Sequence, residues 1–189
     1  SSAASDVYKR QVLNGTTYLN YSHGAIVTDN IEHHAILKTC ESIERRGYPV
    51  AYMFADNGGI VQLETLEGIL TGNANLVSVM TANNEVGTIQ PIKELCDFAH
   101  SKGVMFHTDA VQAVGHIPID VKDLGIDFLS ASAHKFNGPK GVGFLYIKRG
   151  VEILPYLCGG SQEKGLRAGT ENVAAIVGMA TALQKNINN

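Results

Sequence analysis

Three short polar stretches of the sequence carry side chains that can do chemistry. They lie at residues 81–85, 108–112 and 132–135, and each follows a short apolar run. Together they supply an amine, a carboxylate, side-chain amides, hydroxyls and an imidazole. A partly desolvated lysine can attack a carbonyl group as a nucleophile, which makes Lys135 the candidate nucleophile.

The other groups in these stretches suit a phosphorylated ring cofactor. Asp109 is suited to face a protonated pyridine nitrogen, because a nearby anion keeps the ring cationic and electron-withdrawing. Ser132, His134 and neighbouring backbone amides are suited to bind a phosphate. Each residue alone has an ordinary alternative, since a lone lysine is usually solvated and a lone aspartate at a strand end is commonly a turn or cap residue. The interpretation therefore depends on the three stretches occurring together.

The elements that position these residues follow from the alternation of apolar runs and helical patterns. Strands are expected at 25–28, 50–55, 76–80, 104–107, 128–131 and 142–147, and helices at 33–46, 63–70, 91–102 and 172–185. The last helix is apolar on most sides, so it is expected to be buried. This alternation predicts an α/β fold with a mostly parallel sheet flanked by helices. Ligands bind outside the carboxyl ends of such strands, so the three stretches are expected to line one crevice.

Composition excludes several classes of protein. The 189 residues are 44% hydrophobic and 17% charged, which is ordinary for a globular domain. The formal net charge of -3 indicates no basic face, so nucleic acid is not an expected partner. No apolar run approaches the roughly 20 residues of a membrane helix, and no membrane role is expected. Three widely spaced cysteines suggest no disulfide framework, which fits a cytoplasmic protein.

The two ends of the chain differ from its middle. Residues 1–11 share no pattern with the rest of the chain and are expected to be foreign to the domain or disordered. The sequence begins with Ser1 and stops at Asn189, directly after an apolar helical pattern. Residues 12–189 are therefore expected to form one domain that is truncated at both ends.

Two other kinds of site are weighed and not adopted. His33 and His34 are adjacent, so they would face different directions on a helix, and no cysteine lies at ligand spacing; a metal site is not expected. Residues 138–143 are rich in glycine but lack the order of a P-loop, and a tight turn is the better interpretation. Cys40 and Cys96 fall on apolar helix faces and are expected in the core, whereas Cys158 precedes two glycines near the proposed site.

Five motifs, in order, resemble those of the NifS-like cysteine desulfurases, in the class V aminotransferase group. They are EHHA at 32–35, NNEVG at 83–87, HTDAVQ at 107–112, SAHK with GPKG at 132–141, and GGSQE with RAGTEN at 159–172. The resemblance spans roughly residues 18–185, about half of a typical member. It implies the large domain of a fold-type I enzyme that uses pyridoxal 5'-phosphate, incomplete in this chain.

The resemblance also implies roles for individual residues. Lys135 would bond covalently to the cofactor, and His33 would stack on its ring. Asp109 would pair with the pyridine nitrogen, and Gln112 would bond the ring hydroxyl. The remaining residues would bind the substrate carboxylate or the cofactor, mainly its phosphate: Asn84, Ser132, His134 and, from a second subunit, Thr170.

The activity implied by the resemblance is that of a cysteine desulfurase. Such an enzyme takes sulfur from L-cysteine, releases L-alanine and carries a persulfide for iron–sulfur cluster or thio-cofactor assembly. The expected partners are L-cysteine, a second copy of the chain, and a sulfur-acceptor or scaffold protein. The family's glycine- and threonine-rich phosphate segment would precede this chain, and its persulfide cysteine and substrate arginine would follow Asn189. Selenocysteine lyase, a class V aminotransferase and a non-catalytic fragment therefore stay open as alternatives.

Overall fold

Short apolar runs form the strands of one sheet, and the amphipathic segments between them form helices. The computed structural model describes residues 3–19 and 24–188. Its elements in chain order are α1 (Ala3–Leu19), β1 (Ala25–Asp29), α2 (His34–Glu44), β2 (Val50–Met53), α3 (Leu63–Ile69), β3 (Ala74–Ser78), α4 (Ile92–Ser101), β4 (Met105–Asp109), β5 (Phe128–Ser132), β6 (Gly143–Ile147) and α5 (Val173–Ile187). Two short 3-10 helices cover Ala133–Phe136 and Gln162–Gly165. None of the helices in this described part is long and apolar enough to cross a membrane.

The six strands form a single sheet in the order β2-β1-β3-β4-β5-β6. Strands β1 to β5 pair in parallel, and only β6 runs antiparallel to its neighbour β5. The carboxyl ends of β1, β3, β4 and β5 therefore open onto the same edge. This arrangement confirms the predicted mostly parallel sheet with flanking helices.

The core lies on both faces of the sheet, because successive side chains of a strand point to opposite faces. In β3, Leu76 belongs to the apolar cluster beneath α1 and α2, while Val77 belongs to the cluster around α4. In β5, Phe128 belongs to the cluster beneath α1 and α2, and Leu129 belongs to the cluster around α4. Strands covered on both faces read as continuous apolar runs, which is why the sequence marked them clearly.

Helix α1 differs from the expectation for the start of the chain. The structure includes residues 3–11 in α1, where a segment that is foreign to the domain or disordered was expected. Lys9 is only 1% exposed, and the Nε2 of Gln11 donates a hydrogen bond of 2.9 Å to the Leu166 carbonyl. Because many of the buried side chains of α1 are polar, the helix lacks the apolar periodicity by which a helix is predicted from sequence. The prediction that this segment is foreign to the domain stays a prediction, and residues 1 and 2 lie outside the described residues.

Helix α5 was expected to be buried, and that expectation is wrong. All of its residues are described, and none is buried; Val173 and Val177 are 66% and 59% exposed. One side of α5 packs near the 3-10 helix Ala133–Phe136, where Asn186 Nδ2 donates a 2.8 Å hydrogen bond to the Phe136 carbonyl. An apolar surface on most sides indicates burial only where other elements surround the helix, and the described chain covers one side.

Candidate active site

The carboxyl ends of the parallel strands bring the three polar stretches to one cavity of about 150 Å³. Six of the eight residues predicted for the site line it: His33, Asn84, Asp109, Gln112, His134 and Lys135. Helix α1 closes the same cavity from another side with Ser5, Asp6 and Lys9. No pattern in the sequence predicted this contribution from α1.

Asp109 is the last residue of β4 and the most constrained acid in the cavity. It is 3% exposed, and its Oδ1 accepts a 3.0 Å hydrogen bond from the Val111 N–H. Its Oδ2 lies 2.5 Å from the ammonium nitrogen of Lys9. The neighbouring hydroxyls of Thr108 and Thr81 are 2.7 Å apart and join β4 to the end of β3. One carboxylate oxygen is thus held by the backbone, and the other is presented to a cation.

His107 lies two residues before Asp109 on β4 and is completely buried. Its Nδ1 is 2.8 Å from the Ser78 hydroxyl on β3, and its Nε2 is 3.2 Å from the Ser130 hydroxyl on β5. Burial lowers the pKa of His107 to about 4, so its imidazole is neutral at physiological pH. The ring joins three strands directly behind Asp109. His107 belongs to one of the five motifs, but no role could be predicted for it, because its two partners come from distant strands.

Two further buried acids lie beside the cavity, at and just after the end of β1. Asp29 Oδ1 accepts a 3.0 Å hydrogen bond from the Ile31 N–H, and Glu32 Oε2 accepts one of 3.2 Å from the His33 N–H. Among the described residues, neither Asp29 Oδ2 nor Glu32 Oε1 has a hydrogen-bond partner. Burial raises the pKa of Asp29 to about 7. Burial, and then the charges of Asp29 and Asp109, raise the pKa of Glu32 well above its usual range.

His33 caps the start of α2 and turns its ring toward the cavity. Its Nδ1 accepts a 3.0 Å hydrogen bond from the Ala35 N–H, so the neutral ring carries its proton on Nε2. Burial, and then the positive charge of Lys9, lower the pKa of His33. His34 is exposed and does not line the cavity, whereas His33 does; the stacking role of His33 stays a prediction.

Lys135 lies in the 3-10 helix that follows β5, and it is half-buried at the cavity. The His116 Nε2–H donates a 2.8 Å hydrogen bond to its carbonyl oxygen, which fixes the backbone at this point. The Ser132 hydroxyl is 2.8 Å from Nδ1 of His134. Burial, and then the charge of Lys135, lower the pKa of His134. Ser132 therefore reaches the cavity through His134 and does not line it directly.

Thr170 is the predicted site residue that this chain does not bring to the cavity. It is exposed and lines a separate cavity of about 480 Å³, together with Arg167. The resemblance assigned Thr170 to the site of a second subunit, and that assignment stays a prediction. Cys158 is exposed and does not line the cavity either.

Comparison with known proteins places this arrangement in a family. The family model described as Aminotransferase class-V matches residues 11–187. The chain belongs to this family. A cysteine desulfurase IscS of Clostridium botulinum is 52% identical over 178 residues, which are 94% of this chain and 45% of that protein.

Solved structures agree in fold. One titled "NIFS-LIKE PROTEIN" superposes with a TM-score of 0.95 at 41% identity, over 98% of this chain and 52% of that chain. One titled "SspA in complex with cysteine" superposes with a TM-score of 0.88 at 36% identity, over 97% and 52% of the two chains. The chain thus spans about half the length of the relatives it matches. These findings confirm the predicted resemblance and the predicted fold class.

Proposed function

We propose that this chain is the cofactor-binding part of a cysteine desulfurase that uses pyridoxal 5'-phosphate. The observation that carries the proposal is the convergence of Lys135, Asp109 and His33 on one cavity at the carboxyl edge of the sheet. The IscS of Clostridium botulinum, at 52% identity, supports the activity. The solved structure titled "SspA in complex with cysteine" supports L-cysteine as the substrate.

The donor set fits this cofactor. The amine of Lys135 can bond to an aldehyde, and the carboxylate of Asp109 can face a protonated ring nitrogen. The Ser132–His134 pair and the ring of His33 suit a phosphate and a stacked aromatic ring, respectively. When bound, pyridoxal phosphate supplies an electron sink for a carbanion on the substrate. The cavity itself is smaller than the roughly 300 Å³ at the low end of ligand pockets, and residues of α1 form part of its wall.

The protein's own residues hold and orient these groups. Asp109 keeps one oxygen on the Val111 N–H, so the other oxygen has a fixed direction toward a ring nitrogen. His107 stays neutral behind it and adds no positive charge that would weaken the pull of Asp109 on a cation. The carbonyl of Lys135 is held by His116, so the amine is presented from a constrained backbone. Preorganisation of this kind supports catalysis because the groups need not rearrange during reaction.

Sulfur transfer needs a thiolate that can reach the substrate. In the proposed reaction a thiolate attacks the cysteine sulfur, the substrate C–S bond breaks, and its electron pair stays on the carbon that becomes alanine's methyl group after protonation. Burial raises the pKa of both Cys40 and Cys96 to about 12, and both are enclosed by the core. Cys158 is exposed but lies away from the cavity lining. We therefore infer that this chain alone does not turn over cysteine.

The remaining features of the proposed function follow the same family pattern. A second copy of the chain would bring Thr170 to the cofactor phosphate, which makes a homodimer the proposed working state. A sulfur-acceptor or scaffold protein for iron–sulfur cluster assembly would take the persulfide sulfur. The three cysteines are free thiols, which fits a reducing compartment such as the cytoplasm.

The test is covalent labelling of Lys135. The chain is incubated with millimolar pyridoxal phosphate, treated with borohydride to make a cofactor–lysine bond permanent, digested and mapped by mass spectrometry. We expect the label on Lys135, its loss in Lys135→Ala, and its retention in the matched control Lys140→Ala, since Lys140 is exposed in the following turn. Labelling that persists at another lysine in Lys135→Ala, with Lys135 itself unmodified in the parent chain, would contradict the proposal.

A further inference from the structure

Helix α1 places a charged pair across the cavity that the proposed cofactor would enter. Lys9 is 1% exposed, and its ammonium lies 2.5 Å from Asp109 Oδ2, the oxygen proposed to face the ring nitrogen. Asp6, one helical turn earlier, lines the same cavity and acts electrostatically on His33 and His134. Residues three apart in a helix project from the same face, so both side chains enter the cavity together.

The signs of these charges match those of the cofactor. Pyridoxal phosphate has a cationic ring nitrogen at one end and an anionic phosphate at the other. Lys9 puts a cation on Asp109, and Asp6 puts an anion in the same cavity, where it acts on both His33 and His134. Helix α1 thus places one cation and one anion within the site that the ligand needs.

We propose that Lys9 competes with the cofactor in this chain, so that the cofactor binds only after Lys9 has left Asp109. This inference rests on the proposed function of the cavity. The cavity volume of about 150 Å³ with α1 in place is half the roughly 300 Å³ of small ligand pockets. The ammonium and the ring nitrogen also need the same carboxylate oxygen, so both cannot occupy it at once.

The buried carboxylate of Asp109 explains why Lys9 remains in place without a ligand. Asp29, Glu32 and Asp109 all act electrostatically on one another, and the charge of Lys9 acts on Glu32 in the opposite direction. Lys9 also lowers the pKa of the nearby His33, and His107 is neutral, so the ammonium of Lys9 is the cation that pairs with Asp109. A buried anion without a cation is unfavourable, so the apo chain keeps Lys9 inside.

The test is equilibrium binding of pyridoxal phosphate, followed by its absorbance and by protein fluorescence. Lys9→Met keeps the length of the side chain and removes its charge, and Lys9→Gln provides a second, polar variant. Arg10→Met is the matched control, because Arg10 is the next residue of α1 and is exposed. If the binding-competent state of the parent chain is a minor one, its apparent Kd is raised by the inverse of that fraction. We expect Lys9→Met and Lys9→Gln to lower the apparent Kd at least about tenfold and Arg10→Met to change it by less than about twofold.

Hydrogen exchange of the α1 amides in the parent chain tests the same competition without a variant. Saturation with pyridoxal phosphate should speed exchange of the α1 amides around Lys9, because the helix must move away from Asp109. Unchanged α1 protection at saturation, or equal Kd values for the parent and both Lys9 variants, would overturn the competition. Borohydride labelling of the same samples separates the two proposals. Equal labelling of Lys135 in all variants overturns only the role of Lys9, whereas no labelling in any of them overturns the proposed cofactor site as well.

Discussion

The buried acid at the end of β1 should make the chain less stable as pH rises, and Asp29→Asn should reverse this. Asp29 is completely buried, and its Oδ2 has no hydrogen-bond partner among the described residues. Its Oδ1 accepts from the Ile31 N–H, a bond that an asparagine oxygen can keep. The substitution therefore removes a buried charge while it conserves the shape and the one hydrogen bond of the side chain.

The magnitude follows from the pKa of Asp29, which burial raises from 3.8 to about 7. Between these values the folded chain holds a proton that the unfolded chain has released. The free energy of unfolding therefore falls as pH rises from 3.8 to about 7 and is flat above that range. About three pKa units correspond to an upper limit of about 4 kcal/mol. The new amide of asparagine, if it finds no acceptor, offsets about 1–3 kcal/mol of this gain.

Urea unfolding at pH 5 and pH 8, followed by circular dichroism, measures the effect. The parent chain should lose about 3 kcal/mol between these pH values from Asp29, and the raised pKa of Glu32 acts in the same direction. Asp29→Asn should be more stable than the parent at pH 8 by about 1–3 kcal/mol and should show a smaller pH dependence. Asp97→Asn, at a position that is 57% exposed, is the control and should change stability by less than about 0.5 kcal/mol. Loss of stability at pH 8 with an unchanged pH dependence would refute the reasoning.

Two further predictions concern the thiols and the edge of the sheet. Ellman's reagent should modify Cys158 quickly in the folded chain, but Cys40 and Cys96 only after denaturation, because both are buried and burial raises the pKa of each to about 12. Rapid modification of all three cysteines in the folded chain would contradict this expectation. Gly143→Ala should lower the free energy of unfolding by about 2 kcal/mol or more, because the added Cβ would lie 2.4 Å from the Ala131 carbonyl oxygen. Gly72→Ala, where an added Cβ meets no atom within 4 Å, is the matched control in the same urea titration, and equal losses in both variants would rule out the clash.

The sheet could be predicted from the sequence because its strands are buried on both faces. The run expected at 128–131 is β5, and the run expected at 104–107 overlaps β4, each within two residues of the observed ends. Helix α1 could not be predicted in the same way, since Lys9 is buried by an ion pair with a residue one hundred positions later. Apolar periodicity detects helices that bury apolar stripes, and it has no signal for a helix that buries a charge.

The residues of the candidate site also differ in how far the sequence could predict their roles. Residues at or just after the ends of strands, such as Asp109 and Lys135, could be predicted to meet because parallel strands end at one edge. His107 and Asp29 are also on strands, but their importance lies in what surrounds them. The serine partners of His107 belong to two other strands, and the raised pKa of Asp29 comes from burial that only the packed chain creates. Such properties have no counterpart in the spacing of residues along the sequence.

The buried carboxylate of Asp109 acts in the same direction on the cation of the empty site and on the cation of the occupied site. The carboxylate of Asp109 creates a field that stabilises any cation placed at its Oδ2, whereas burial raises the pKa of Asp29 and Glu32 and so disfavours their charged forms. The ammonium of Lys9 and a protonated ring nitrogen both benefit from that field, so its strength largely cancels when the two compete for one oxygen. A ligand can shift an equilibrium only through its differential affinity for the two states. The competition is therefore decided by what the two cations do not share. Lys9 is tethered to the chain by α1, whereas the proposed cofactor would add a covalent bond to Lys135 and contacts with His134.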